Sequence, residues 1–297
     1  MSDDGALAIV IIAMQGNPFS PVYARARQRG GASALRFCSM NVAVYGRPRL
    51  GGRGSAWAFD ERPVSPRDRR VDGVAIGQSA IQWVHDRLVI DIDERTTTLG
   101  HPFHRPLRGR VTLTPETQPA RELTIDAEGL HRWWPIAPLA RIEVALRQPA
   151  LCFRGHGYHD ANAGAVPLED TFTSWSWSRA RRRDGAFVAY DARPRTGTGR
   201  SHAFRVGPDG RMASVEGTGL TSLGRSAWGI ERDARVARGE PARVLRSLED
   251  GPFYTRELVE TRMDGERIVA MHETLAAHRL RRRWVRFCTG YRLRTFR

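Results

Sequence analysis

The sequence predicts an all-β protein with one short helix near its start. Three observations lead there. Apolar residues recur with period two over most of the chain, turn signals return at hairpin spacing, and helical periodicity is scarce. Evenly spaced antiparallel strands over 297 residues suggest barrels or sandwiches, which close or shorten their edges and offer a mouth for a ligand.

Taken in order, Ala6 to Met14 (ALAIVIIAM) is a short apolar run. It is too short to span a bilayer. Asp3 and Asp4 precede it where a signal peptide would carry basic residues, so it reads as a buried strand. In SPVYARARQRG, Ser20 can cap, Pro21 suits the first helical position and Gly30 can end the turn. AWAFDER alternates Trp57 and Phe59, and RLVIDID points Leu88, Ile90 and Ile92 one way and Asp91 and Asp93 the other. Turns are expected around Gly73 (VDGVAI), at 207–211 (GPDGR) and at 263–267 (MDGER). The stretch NAGAVPLED, 162–170, combines Gly, Pro and charge without periodicity, and the strand pattern restarts beyond it with Trp175 and Trp177. It marks the expected boundary between a domain of residues 1–168 and one of residues 169–297. In the C-terminal tail, Leu280, Trp284, Phe287 and Tyr291 recur at helical spacing among arginines. That pattern suits an interfacial helix, or aromatics that cover the open end of the last domain.

Composition excludes more than it selects. Hydrophobic residues make up 41% of the chain, enough for a packed core. All 47 basic residues are arginine, which points to coding bias, so the net charge of +15 is no argument for nucleic-acid binding. It would still favour an anionic membrane surface or an acidic partner. Cys38, Cys152 and Cys288 are far apart and form no CxxC pair, which argues for a reducing compartment.

Two clusters hold the candidate chemistry, HRWWPIAP at 131–138 and GYHDANAG at 157–164. Each residue alone has an ordinary explanation: a histidine or tryptophan on a strand usually packs, and an aspartate after a strand usually turns. His131, Trp133, Tyr158 and Asp160 together are harder to explain as core. A metal reading would use His156-x-x-His159-Asp160 with His131. Residues three apart on a strand face opposite sides, which weakens it, and His101-x-x-His104 among prolines is no better. No metal and no organic cofactor is therefore expected.

Nine runs then resemble one family: FSPVYARARQRG (19–30), NVAVYG (41–46), DIDER (91–95), RGRVTLTP (108–115), HRWWPIAPLARIEVA (131–145), GYHDANAG (157–164), PLED (167–170), WSWSRA (175–180) and LEDGPFY (248–254). They are similar, in order, to the bacterial carotenoid 1,2-hydratases, also called hydroxyneurosporene synthases. The resemblance implies cofactor-free addition of water to the terminal double bond of an acyclic carotenoid such as neurosporene or lycopene. It implies two lipocalin-like β domains, with the site near their junction. It also implies that a His-x-Trp and a Tyr-x-Asp pair serve activity, here His131, Trp133, Tyr158 and Asp160. The family's aromatic-rich strand before the Asp-Asp-Gly turn has no counterpart ahead of Asp3: either the start lies upstream or this version is truncated, and in the second case an unpaired strand edge is expected in the first domain.

Hydrating an unactivated alkene needs a strong, well-aimed acid, because protonation leaves a tertiary carbocation. Asp160 is the expected donor, provided an apolar environment keeps it protonated. His131 would hold that acid or orient and deprotonate the water, and Trp133 and Tyr158 would offer π-faces to the cation. Asn162 and Gly164 read as a turn, and His159 as a structural residue on the opposite face. Two other functions fit the fold: a lipocalin-like binder that carries a polyene unchanged, and a cyclase or pericyclase acting on another polyene. Binding alone would not require the quartet. A substrate dissolved in the bilayer makes peripheral attachment to the cytoplasmic face of the inner membrane the expected location.

Overall fold

A computed structural model describes residues 1–46, 55–96, 104–292 and 294–295. His101 lies outside the described residues. The chain is all-β, in two compact units. Unit 1 comprises Met1–Pro115, Ala140–Gly157 and Arg286–Arg297, and unit 2 comprises Glu116–Leu139 and Tyr158–Val285.

In unit 1, β1 (Ala8–Met14), β2 (Cys38–Tyr45) and β3 (Ser55–Arg62) pair antiparallel, with α1 (Pro21–Gln28) between the first two in sequence. The apolar run at 6–14 is thus a strand. Ser20 caps α1 by accepting from the Tyr23 N–H, and Pro21 opens it. The strands β4 (Gly73–Ile76), β5 (Ser79–Val84), β6 (Arg87–Arg95) and β7 (Pro106–Pro115) form a meander. Leu88, Ile90 and Ile92 on β6 are buried, as period two demands. The AWAFDER strand departs from simple alternation: Ala58 to Glu61 are all buried. An internal ion cluster makes that tolerable. Arg62 bridges Asp60 (2.9 Å) and Glu94 (2.8 Å), and Ser79 donates to Glu94 at 2.6 Å. Burial pushes the Glu94 carboxyl up to about 7.

A two-residue strand, β8 (Leu123–Thr124), precedes two long ones, β9 (His131–Gln148) and β10 (Ala150–Gly164). Both pass from one unit to the other, since unit 2 takes β9 up to Leu139 and β10 from Tyr158. The units are therefore interleaved in sequence and do not follow the contiguous division expected at 168/169. The boundary stretch itself is partly regular. β10 continues through Asn162 to Gly164, where a turn was expected, and the short helix α2 (Leu168–Thr171) follows Pro167. Proline in PLED sets the helix start, and the alternation that sustains the strand to Gly164 is masked in sequence by small residues.

Unit 2 is built on one antiparallel sheet. Its strands are β11 (Phe172–Arg182), β12 (Gly185–Pro194), β13 (Arg200–Val206), β14 (Met212–Ser214), β17 (Arg243–Asp250), β18 (Tyr254–Met263) and β19 (Glu266–Leu275). Their spatial order is β14-β13-β12-β11-β19-β18-β17. The remaining pair in this unit, β15 (Thr218–Arg225) and β16 (Glu231–Ala237), forms a hairpin. On one sheet face, Ala180, Phe187, Ala189, Met263, Ile268 and Ala270 form an apolar core. Ala234 and Val236 of β16 pack with Val259 nearby. The MDGER turn is a two-residue hairpin with Asp264 and Gly265 both at positive φ, the conformation such turns need. The tail forms α3 (Arg283–Arg292), which carries Trp284 and Phe287; a two-residue strand, β20 (Arg294–Thr295), pairs with β3.

Candidate active site

The opposite face of the unit 2 sheet carries polar and aromatic side chains in a single row. Directly opposed across β13, β12, β11, β19, β18 and β17 stand His202, Tyr190, Trp177, Glu273, Arg256 and Glu249. Directly opposed residues of antiparallel strands share a face, so the register alone aligns these six. The alternation W-S-W-S-R on β11 puts Trp175, Trp177 and Arg179 on that face, with Ser176 and Ser178 on the other.

Three of the four expected residues converge over this row. Trp133 is fully buried, and its ring packs against Tyr190 at 5.2 Å. Tyr158 packs against Trp177 at 5.0 Å. Trp133 Nε1–H donates to Asp160 Oδ2 at 2.8 Å, and the Tyr158 hydroxyl donates to the same oxygen at 3.0 Å. Trp133 Nε1 also lies 3.2 Å from the Tyr158 oxygen, which closes a three-membered polar cluster. Period two explains the convergence, since Tyr158 and Asp160 are two apart on β10 and point the same way.

The electrostatics of Asp160 are set by opposing effects. Burial raises its carboxyl to about 6, the negative charge of Glu273 adds to the rise, and the Trp133 and Tyr158 donors oppose it. Both donors act on Oδ2, so Oδ1 is the oxygen left to carry a transferable proton. Burial also drives the Tyr158 and Tyr190 hydroxyls above their usual range, so both stay neutral donors. Arg179 is buried with Nε and Nη2 unpaired, and burial lowers it to about 10.

His131 stands apart from this cluster. Its ring Nε2 lies 3.1 Å from Thr171 Oγ1, its ring packs on Phe172 at 4.9 Å, and its backbone N–H donates to Asp126. Of the two roles expected of His131, holding Asp160 or acting on the water, the first has no hydrogen bond between the two side chains to serve it. Burial lowers the His131 pKa, which favours neutral imidazole. Gly164 belongs to this arrangement: a Cβ there would lie 2.5 Å from His131 Nδ1. Its role is thus close approach, in place of the turn read from sequence.

The histidines of the metal reading are dispersed. His156 lies in unit 1, 3.5 Å from Asp3, whereas His159 lies in unit 2, where burial lowers it to about 4. Among the described residues no three His, Cys, Asp or Glu side chains are grouped as metal ligands.

Residues 11–295 match the family described as "Carotenoid hydratase CrtC". The chain belongs to the carotenoid hydratase family. Among curated relatives, the "Acyclic carotenoid 1,2-hydratase" of Thiocapsa roseopersicina is 41% identical over 94% of this chain and 67% of its own length. The protein of the same name from Rubrivivax gelatinosus is 37% identical over 94% of the chain and 68% of its own length. That from Cereibacter sphaeroides is 35% identical over 91% of the chain and 92% of its own. Among solved structures, an AttH protein from Nitrosomonas europaea superposes with a TM-score of 0.51 at 14% identity, covering 82% of each chain. That likeness concerns the fold, and it agrees with the lipocalin-like, all-β expectation.

Sequence reasoning reached Trp133, Tyr158 and Asp160 in this hydratase-family chain but missed Tyr190 and Glu273. Tyr190 sits in an ordinary strand, and Glu273 is one glutamate among many. Their signal is the register of β11 with β12 and β19, which no local pattern reveals.

Proposed function

We propose that the protein hydrates the terminal double bond of an acyclic carotenoid, with Asp160 as the acid. The observation that carries this reading is the clamp on Asp160: two donors on Oδ2, and burial that raises the carboxyl to about 6. With that value, roughly a tenth of the acid is protonated at pH 7 and about nine tenths at pH 5. The Oδ1 proton goes to the less substituted alkene carbon, the tertiary cation forms on its neighbour, and water adds there to give a tertiary alcohol.

The cation needs stabilisation until water arrives. The faces of Tyr158, Trp177 and Tyr190 can each contribute about 1–2 kcal/mol to a desolvated cation, and Trp133 serves mainly through its N–H. His131, on Thr171 and Phe172, supports the start of β9, two residues from Trp133 along the same strand face.

A Brønsted acid suffices for this chemistry, so turnover requires no metal or organic cofactor. Dialysis against a strong chelator leaves the rate unchanged if this holds. The primary test is incubation of purified protein with lycopene or neurosporene. A product heavier by one water is expected, and recovery of tightly bound, unaltered polyene would favour a carrier instead.

The protein works peripherally on an anionic membrane, on the cytoplasmic face of the inner membrane. The support for this is the chain's net charge of +15 and the exposed aromatics Trp228, Trp284 and Phe287. Trp228 and Trp284 stack at 6.1 Å, and Arg282, Arg283 and Arg286 lie beside Trp284 in sequence. No helix among the described residues is long and apolar enough to cross a membrane.

A further inference from the structure

The protonated alkene poses a second problem that Asp160 does not solve by itself. When water bonds to the cation it carries two protons, and one must leave. Asp160 has just become a carboxylate, but two donors hold its Oδ2, and its Oδ1 lies where it delivered the first proton.

A second carboxylate stands on the same face. Glu273 is opposite Trp177 on β19, and Trp177 packs on Tyr158, so its side chain rises beside the cluster. Its charge reaches both Asp160 and Tyr190. Arg256, 1% exposed, donates through Nε to Glu273 Oε1 at 2.8 Å and through Nη1 to Glu249 at 2.6 Å. One guanidinium thus faces two carboxylates. The Glu273 side chain keeps 15% exposure, and among the described residues no donor is assigned to its Oε2.

We propose that Glu273 is the general base of the hydration, taking through Oε2 the proton released when water captures the cation. This inference rests on the reading of Asp160 as the acid. The balance closes without another reactant: Asp160 gives a proton to carbon, water forms the C–O bond, and the departing proton goes to Glu273. Glu273, partly exposed, then releases that proton to solvent, and Asp160 is reprotonated from solvent. The negative wall of Glu273 and Glu249 also favours the cation in the interval.

The test separates protonation from water capture. In D2O the acid exchanges to Asp160–OD, so a cation that collapses to alkene by losing a protium, and not the deuteron it has just received, leaves deuterium in the recovered carotenoid. Glu273→Gln is expected to slow hydration at least a hundredfold, while deuterium entry into recovered substrate falls far less, only by what the lost charge does to the Asp160 acid and the cation. Glu273→Asp keeps the ion pair with Arg256 and withdraws the carboxylate by one methylene. It should show the same split more mildly, and it carries the test if the Gln variant does not fold. Hydration at the parent rate in Glu273→Gln overturns the proposal, and so does a parallel fall of hydration and exchange in the folded variants. Asp160→Asn must lose both signals. If it retains exchange, the acid assignment fails, whatever Glu273 does.

Discussion

Replacing Asp160 by Asn tests the acid in two independent ways. The substitution keeps the shape and leaves an oxygen to accept from Trp133 and Tyr158, but removes the transferable proton. Turnover should fall by a factor of about 10² to 10⁴, the usual contribution of a positioned acid, while carotenoid binding persists. Stability should move the other way. The Asp160 carboxyl rises from 3.8 to about 6 on folding, so the folded state binds the extra proton between those values. The group's contribution is whole below about pH 4 and is lost as pH rises through about 6. That rise from 3.8 to about 6 corresponds to about 3 kcal/mol, an upper figure because the side chain retains some accessible surface. Asparagine carries no such cost, so above pH 7 the variant should be the more stable by up to about 3 kcal/mol. Near pH 4 the gap should shrink below about 1 kcal/mol. Urea unfolding of both proteins at pH 4.5, 6 and 8, beside product formation from lycopene, reads both effects. An Asn variant less stable than the parent at pH 8 would refute the claim that burial raises this acid, and undiminished hydration would move the acid elsewhere.

Trp133→Phe removes one of the two donors that favour the Asp160 carboxylate, so the alkaline fall of the rate should shift to higher pH, with less loss of turnover than Asp160→Asn; a pH–rate profile measures this. Gly164→Ala places a Cβ 2.5 Å from His131 Nδ1 and should cost about 1–3 kcal/mol in urea unfolding, as overpacking does. A parent-like midpoint would show that β10 yields there at no cost. Trp284→Ser combined with Phe287→Ser should weaken flotation with anionic liposomes and leave neutral ones unaffected, and equal flotation would remove α3 from the membrane contact.

Much of this protein is legible in one dimension. Period-two burial on β6, the Ser20-Pro21 helix start and the two-residue turn at Asp264-Gly265 all follow from local sterics and hydrogen bonding, which act over a few neighbours. So does the shared direction of Tyr158 and Asp160, two residues apart on one strand. Tertiary structure decided the rest. That β9 and β10 each serve both units depends on strands of 18 and 15 residues outrunning one compact unit, whereas Pro167 and the small residues before it look like a linker. His131 and Trp133 share a strand face, yet one reaches Thr171 at the end of α2 and the other Asp160 on β10, because what each meets comes from another element. Glu273 came beside Asp160 through the pairing of β11 with β19, nearly a hundred residues apart in the chain. Strand register is set by the packing of whole faces, and a slip of one residue would turn Glu273 to the other side of the sheet. The proposed acid can therefore be named from a motif, but the charge that faces it exists only once the sheet has formed.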